Sequence, residues 1–231
     1  MEPIFAGVRN VVIPACRLWF RWSLEGLEGI PKDGPAIVAF NHISYLDPFA
    51  AAYAVDSAGR RPRFLAKSEL FENPWTGWIM RGTHQIEVRR GTPSAPLALE
   101  QALLALARGE IIVIFPEGTV TFDRDLRPMP AKTGAVRLAI RSGAPLIPAG
   151  IWGTANVLPR HFKDYKMRWW PRQDLCVRVG EPMGDMAGHG DTPEEWRATG
   201  VELMDRIAAL VAGLGPALPY TRQPRRKSIA S

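Results

Sequence analysis

"AIVAFNHISYLDPFAAA", residues 36–52, decides the fold. Its first five residues, Ala36 to Phe40, are apolar without alternation. Such a run reads as a strand buried on both faces. Asp47-Pro48 reads as a helix cap followed by the first helical position, opening a helix that runs to about Val55. Strand, loop and helix in that order are one unit of an α/β fold.

The same alternation extends both ways. "GLEGIPKDGP" (26–35) is turn-rich and delivers the chain to the strand. Downstream, strands are expected at 61–67, 84–90, 111–115, 145–153 and 175–183. Helices are expected at 97–109, which Gly109 stops, and at 132–143, which Gly143 stops. Thr192-Pro193-Glu194-Glu195 is a capping box that opens a last helix, to about Leu214. Residues 73–82 mix turn and helix signals, and 154–173 is irregular, basic and aromatic. The fold class is α/β: a single domain with a mixed, largely parallel central sheet flanked by helices, plus an N-terminal amphipathic helix. Residues 1–25 form that N-terminal segment, 26–215 the domain, and 216–231 a basic, disordered tail.

A chain of 231 residues is long enough to bury a real core, and 23% charged residues fits a globular protein. The net charge of +6 points to an anionic partner: a phosphate-bearing substrate, an acidic lipid surface or nucleic acid. The nucleic-acid option is set aside, because no basic-aromatic fold signature appears. Cys16 and Cys176 have no metal or redox spacing and suit a reducing cytosol. No segment offers the ~20 mostly apolar residues of a membrane span. Arg9, Arg17 and Arg21 interrupt the N-terminal apolar run, and Glu2 and Pro14 argue against a signal peptide. Arginines beside Trp19, Phe20 and Trp22 suit a helix lying in a membrane interface, and equally one packed on the domain.

The loop after the first strand carries the chemistry. On an ideal helix a five-residue step turns roughly 140° past a full turn, so His42 and Asp47 meet only if "ISYL" is a turn. Pro48 favours that, since it disfavours helical geometry at Asp47. A turn returns the carboxylate to one ring nitrogen and leaves the other outward as a base. The competing reading is a helix-capping Asp47 and an ordinary loop histidine. The lack of a G-x-S-x-G elbow weakens a serine hydrolase, and if no protein nucleophile exists the substrate must bring its own hydroxyl. The strand at 111–115 ends in "PEGT", where Gly118 allows close backbone approach and its amide is a candidate oxyanion donor. If the two strands run parallel, His42 and Glu117 open onto one sheet edge. Metal ligands at suitable spacing are missing.

"NHISYLDP", "FLAKSELFENPWTGWIMRGTHQIEVRRG", "FPEGT" and "APLIPAGIWGT" stand in the order and at roughly the spacing of the lysophospholipid and glycerol-phosphate acyltransferases. Over about residues 24–183 the chain resembles the bacterial 1-acyl-sn-glycerol-3-phosphate acyltransferases most. The resemblance implies His42 as general base and Asp47 as its orienting partner, with Asn41 stabilising the turn. It implies substrate binding by Lys67, Arg89, Arg90, Glu117, Gly118 and Thr119, with Arg90 in the place of the family's phosphate-binding arginine. Two departures stand out. Arg89 replaces an aspartate, and Val120 replaces a cation that Arg124 or Lys132 stands near enough in sequence to supply. The implied partners are lysophosphatidic acid, a membrane lipid surface, and acyl-CoA or acyl carrier protein as co-substrate, with no cofactor or metal. The implied place is the cytoplasmic face of the membrane, peripheral or monotopic. Other lyso-lipid or glycolipid acceptors, a thioesterase and a catalytically silent binding module are the rivals.

Overall fold

A computed structural model describes residues 3–89, 95–160, 172–188 and 190–214. Arg90 and the tail 216–231 lie outside the described residues, as does most of the irregular stretch 154–173. In chain order the elements are α1 (Pro3–Trp19), β1 (Phe20–Glu25), β2 (Ala36–Phe40), α2 (Asp47–Ser57), β3 (Pro62–Lys67) and α3 (Ser68–Glu72). Then follow α4 (Pro74–Gly82), β4 (Ile86–Val88), α5 (Ala95–Ala107), β5 (Ile111–Ile114), α6 (Gly134–Ser142), β6 (Leu146–Trp152), α7 (Thr154–Val157), β7 (Gln173–Val179) and α8 (Pro193–Ala212).

The strands form a seven-stranded sheet in the order β1-β7-β6-β2-β5-β3-β4. β2, β3, β4, β5 and β6 run one way, while β7 is antiparallel to β6 and carries β1 parallel to itself. Alternate residues of β2 serve the two faces. Ile37 and Ala39 pack under α5, α6 and α8 with Ala102, Leu106, Val136 and Leu203. Ala36, Val38 and Phe40 pack under α2 with Ala50, Ala54 and Val55. Burial on both sides is why this strand shows no polar alternation.

Two local expectations are corrected. The N-terminal helix ends at Trp19, and residues 20–25 form the edge strand β1 instead of extending a separate segment. Its alternation explains this: Arg21 meets Asp174 of β7 at 2.6 Å and Glu25 meets Arg178 at 2.8 Å, each pair in register across the two strands. The stretch 73–82 is helical from Pro74, because the Asn73 carboxamide oxygen accepts the amides of Trp75 and Thr76. At the other end of the chain, Thr192 accepts the Glu195 amide at 3.3 Å and donates to its carboxylate at 2.6 Å.

α1 lies against α2 and is tied to it by two arginines. Arg9 pairs with Asp56, and Arg17 donates to the Tyr53 hydroxyl. Val11 and Leu18 are left 70% and 71% exposed. Among the described residues no helix is long and apolar enough to cross a membrane.

Candidate active site

β2 and β5 are parallel neighbours, so the loops leaving their carboxyl ends lie side by side. The first loop opens at Asn41, which is fully buried and pairs with the backbone of β6. Its side chain donates to the Ile151 carbonyl at 3.0 Å and accepts the Ile151 amide at 2.6 Å. That fixes where the chain leaves the sheet, one residue before His42.

The turn between His42 and Asp47 is built around the carboxylate. Asp47 Oδ2 accepts from the Ile43 amide at 2.6 Å, the Ser44 amide at 2.7 Å and the His42 ring Nδ1 at 2.8 Å. Its other oxygen accepts the Thr154 hydroxyl at 2.6 Å. With 0% exposure and four donors, Asp47 is a buried carboxylate whose hydrogen bonding is satisfied inside the protein. It does not cap its own helix: α2 has no side-chain cap, and Leu46 takes the cap position. Between the two readings of this loop, the geometry is that of the carboxylate returned to the imidazole. Because Oδ2 accepts, Nδ1 carries the proton and Nε2 holds the lone pair. The ring stacks on Phe115 at 4.3 Å and its side chain keeps 15% of its surface open. Nε2 has no protein partner among the described residues.

Glu117 lies under this loop, 3% exposed. One oxygen accepts the His42 amide at 2.6 Å and the other the Met129 amide at 3.0 Å. Thr121 then donates its amide to the His42 carbonyl at 2.7 Å. Glu117 therefore grips the backbone that carries the imidazole. Burial pushes its carboxyl up to about 7, and the two amides pull it only part of the way back. The folded protein thus holds a proton that the unfolded chain releases, so stability falls as pH rises from about 4.5 to 7. The total is roughly 3 kcal/mol. Urea titrations of wild type and Glu117→Gln at pH 5 and pH 8 check this. The variant gains on wild type by up to about 3 kcal/mol at the higher pH, and a pH-independent difference refutes it.

Gly118 takes a left-handed turn at φ 75°, and a Cβ there would meet the Lys132 side chain at 3.0 Å. Its amide donates to the Phe115 carbonyl at 2.9 Å. This corrects the expectation of Gly118 as oxyanion donor: that N–H already closes its own turn. The Thr119 amide, one residue on, has no partner among the described residues. Of the two residues set beside Val120, Lys132 borders this loop, donating its amide to the Pro116 carbonyl at 2.9 Å.

The remaining sequence candidates lie farther along the sheet. Lys67 is exposed at the carboxyl end of β3, beyond the Phe64–Val113 pair with β5. Arg89 follows the edge strand β4 and is held by Glu87 at 2.6 Å, so it does not stand as a bare cation. Arg90 lies outside the described residues. A concavity of about 400 Å³ between β4 and α5 takes none of its lining from the His42 or Glu117 loops. Its Arg63 and Arg108 are already held by Glu110. Among the described residues no cluster of three His, Cys, Asp or Glu side chains is placed to hold a metal, and both cysteines are free thiols. Phe115 and Thr154 stand inside the quoted "FPEGT" and "APLIPAGIWGT" stretches, but nothing in the sequence singled out their side chains as partners of His42 and Asp47. Each sits in a stretch that reads as strand end or packing, and only the fold brings them to Asp47 and His42.

The "Acyltransferase" family model matches residues 21–152. The chain is 31% identical over 185 residues to the 1-acyl-sn-glycerol-3-phosphate acyltransferase of Bacillus subtilis, covering 79% of this chain and 84% of that protein. It is 30% identical over 143 residues to the chloroplastic 1-acyl-sn-glycerol-3-phosphate acyltransferase BAT2 of Brassica napus. That match takes in 61% of this chain but 40% of the plant protein, so the chain spans about two fifths of that relative's length. The crystal structure of the 1-acyl-sn-glycerophosphate (LPA) acyltransferase PlsC from Thermotoga maritima superposes with a TM-score of 0.66 at 28% identity, over 87% of this chain and 76% of that one.

Proposed function

We propose that this chain, which belongs to the acyltransferase family, moves a fatty acyl group from an acyl thioester to the free hydroxyl of 1-acylglycerol 3-phosphate. The product is phosphatidic acid, a precursor in phospholipid synthesis. The observation that carries the reading is the His42–Asp47 pair: 2.8 Å from Nδ1 to a sealed carboxylate, with the far side of the ring open.

His42 Nε2 takes the proton of the acceptor hydroxyl, and the oxygen lone pair forms a bond to the thioester carbonyl carbon. The carbonyl π pair moves to oxygen. Asp47 holds the imidazolium in place and balances its charge. The Thr119 N–H, one residue past Gly118, serves as the backbone donor to the oxyanion. When the carbonyl re-forms, the C–S bond breaks, and the thiolate recovers its proton from His42. Ester and free thiol leave, and the ring is neutral again. The reaction uses no metal or resident cofactor; acyl-CoA or acyl carrier protein enters as co-substrate. Lys67 and Arg90 add positive charge that draws the anionic acceptor toward the site.

A lipid acceptor requires a membrane-facing surface. α1 ties Arg9 and Arg17 to α2 and leaves its apolar Val11 and Leu18 outward. Ile4, at the same seven-residue spacing, touches α4 at Gly82, so the stripe runs on toward exposed Trp75 and Trp78. Exposed apolar surface of this kind with aromatic edges suits peripheral insertion into one leaflet, on the cytoplasmic face.

The test is to present purified protein with vesicles containing lysophosphatidic acid, and with acyl-CoA and acyl carrier protein thioesters in turn. Thiol release and lipid products are followed together. Thiol release that depends on the acceptor and yields phosphatidic acid is expected. Free fatty acid formed at the same rate without acceptor would make the protein a thioesterase.

A further inference from the structure

Arg160 follows Pro159, which forms a β-bridge with Ser44 inside the His42–Asp47 turn. The Ser44 hydroxyl donates to the Leu158 carbonyl at 2.6 Å, fastening the same two segments. From there the Arg160 guanidinium reaches the other loop. One of its terminal nitrogens donates to the Val120 carbonyl, and its plane lies over the Phe122 ring at 3.6 Å. Val120 directly precedes Thr121, whose amide holds the His42 carbonyl. The cation is therefore fixed between the two loops that frame the imidazole.

Among the described residues Arg160 meets no carboxylate, a state it shares with Arg17, Arg60 and Arg172. A half-buried guanidinium on a carbonyl and a ring still presents a fork of N–H donors, the geometry that recognises a phosphate.

We infer that Arg160 binds the phosphate of the lipid acceptor and so delivers the neighbouring hydroxyl to His42. This rests on the acceptor being the phosphate-bearing lyso-lipid proposed above. Bond lengths choose acceptor over donor. In a glycerol phosphate about four bonds separate the free hydroxyl oxygen from phosphorus, roughly 6 Å at most. In a pantetheine thioester more than a dozen bonds separate sulfur from phosphate, roughly 15 Å when extended. Strand spacing separates Arg160 from Lys67 and Arg89, which leave β3 and β4. It is tied to the loop of β5, next to β2, whereas β3 and β4 lie about 10 and 14 Å from β2.

Wild type, Arg160→Gln and Arg160→Lys are assayed on lysophosphatidic acid and on 1-monoacylglycerol, which lacks the phosphate. Loss of a charged hydrogen bond lowers kcat/KM of Arg160→Gln for the phosphate-bearing acceptor about 10- to 100-fold. The rate with monoacylglycerol and the KM for the thioester stay unchanged, and Arg160→Lys recovers part of the loss. Equal losses on both acceptors would make Arg160 a loop staple and overturn the inference. If wild type prefers lysophosphatidic acid and Arg160→Gln keeps that preference, Arg160 alone is excluded. If wild type shows no preference for the phosphate, the acceptor reading fails and the role of Arg160 falls with it.

Discussion

His42→Ala is expected to lower kcat about 100- to 10,000-fold, the contribution of a positioned general base. The fold should survive. The ring touches Asp47 and Phe115, but Asp47 keeps the Ile43 and Ser44 amides and the Thr154 hydroxyl as donors. Initial rates of thiol release, read beside a thermal melt, separate the two effects. A variant with unshifted melting and more than a tenth of the wild-type rate would mean that the proton leaves by another route.

Asp47 gives the larger structural effect. In Asp47→Ala two backbone amides and a hydroxyl lose their acceptor where water does not reach. Each buried orphan costs about 1–3 kcal/mol, so a loss of about 3 kcal/mol or more is expected. For a chain of this size that lowers Tm by roughly 6–12 °C. Asp47→Asn is the informative companion. Its carboxamide oxygen can serve the Ile43, Ser44 and His42 donors, and the Thr154 hydroxyl can rotate to accept. Shape is kept and charge is lost. Melting is expected to stay near wild type while kcat drops about 100-fold or more, because the imidazolium loses its counter-charge. Equal melting losses in both variants would make Asp47 a packing group alone.

Much of this arrangement was readable from residue order, and the reasons differ by element. β2 and β5 announce themselves because a strand covered on both faces tolerates no polar residue, as Ala36–Phe40 and Ile111–Ile114 show. α8 was readable from its capping box alone. β1 was not, because "FRWSLE" alternates at an edge where aromatics and charges satisfy helix and strand equally. Its partners Asp174 and Arg178 stand some 150 positions later, and no local pattern signals them. The His42–Asp47 pairing was legible from Pro48 and the spacing. Glu117's grip on the His42 amide, the Thr154 hydroxyl and the Arg160 fork were not. Each depends on which loops the sheet order places together, and that order is set by packing of whole layers.

The distances along the chain at this site have a consequence for how order arises in it. Asn41 is tied to a residue 110 positions away, Asp47 to one 107 away and His42 to one 75 away. Closing such long loops is entropically slow, so these ties form only after β5 and β6 have docked beside β2. The reactive ring is then a late product of folding, and no early compact intermediate holds it in register. Enzymatic competence and the completed sheet arrive, and melt away, as one cooperative event.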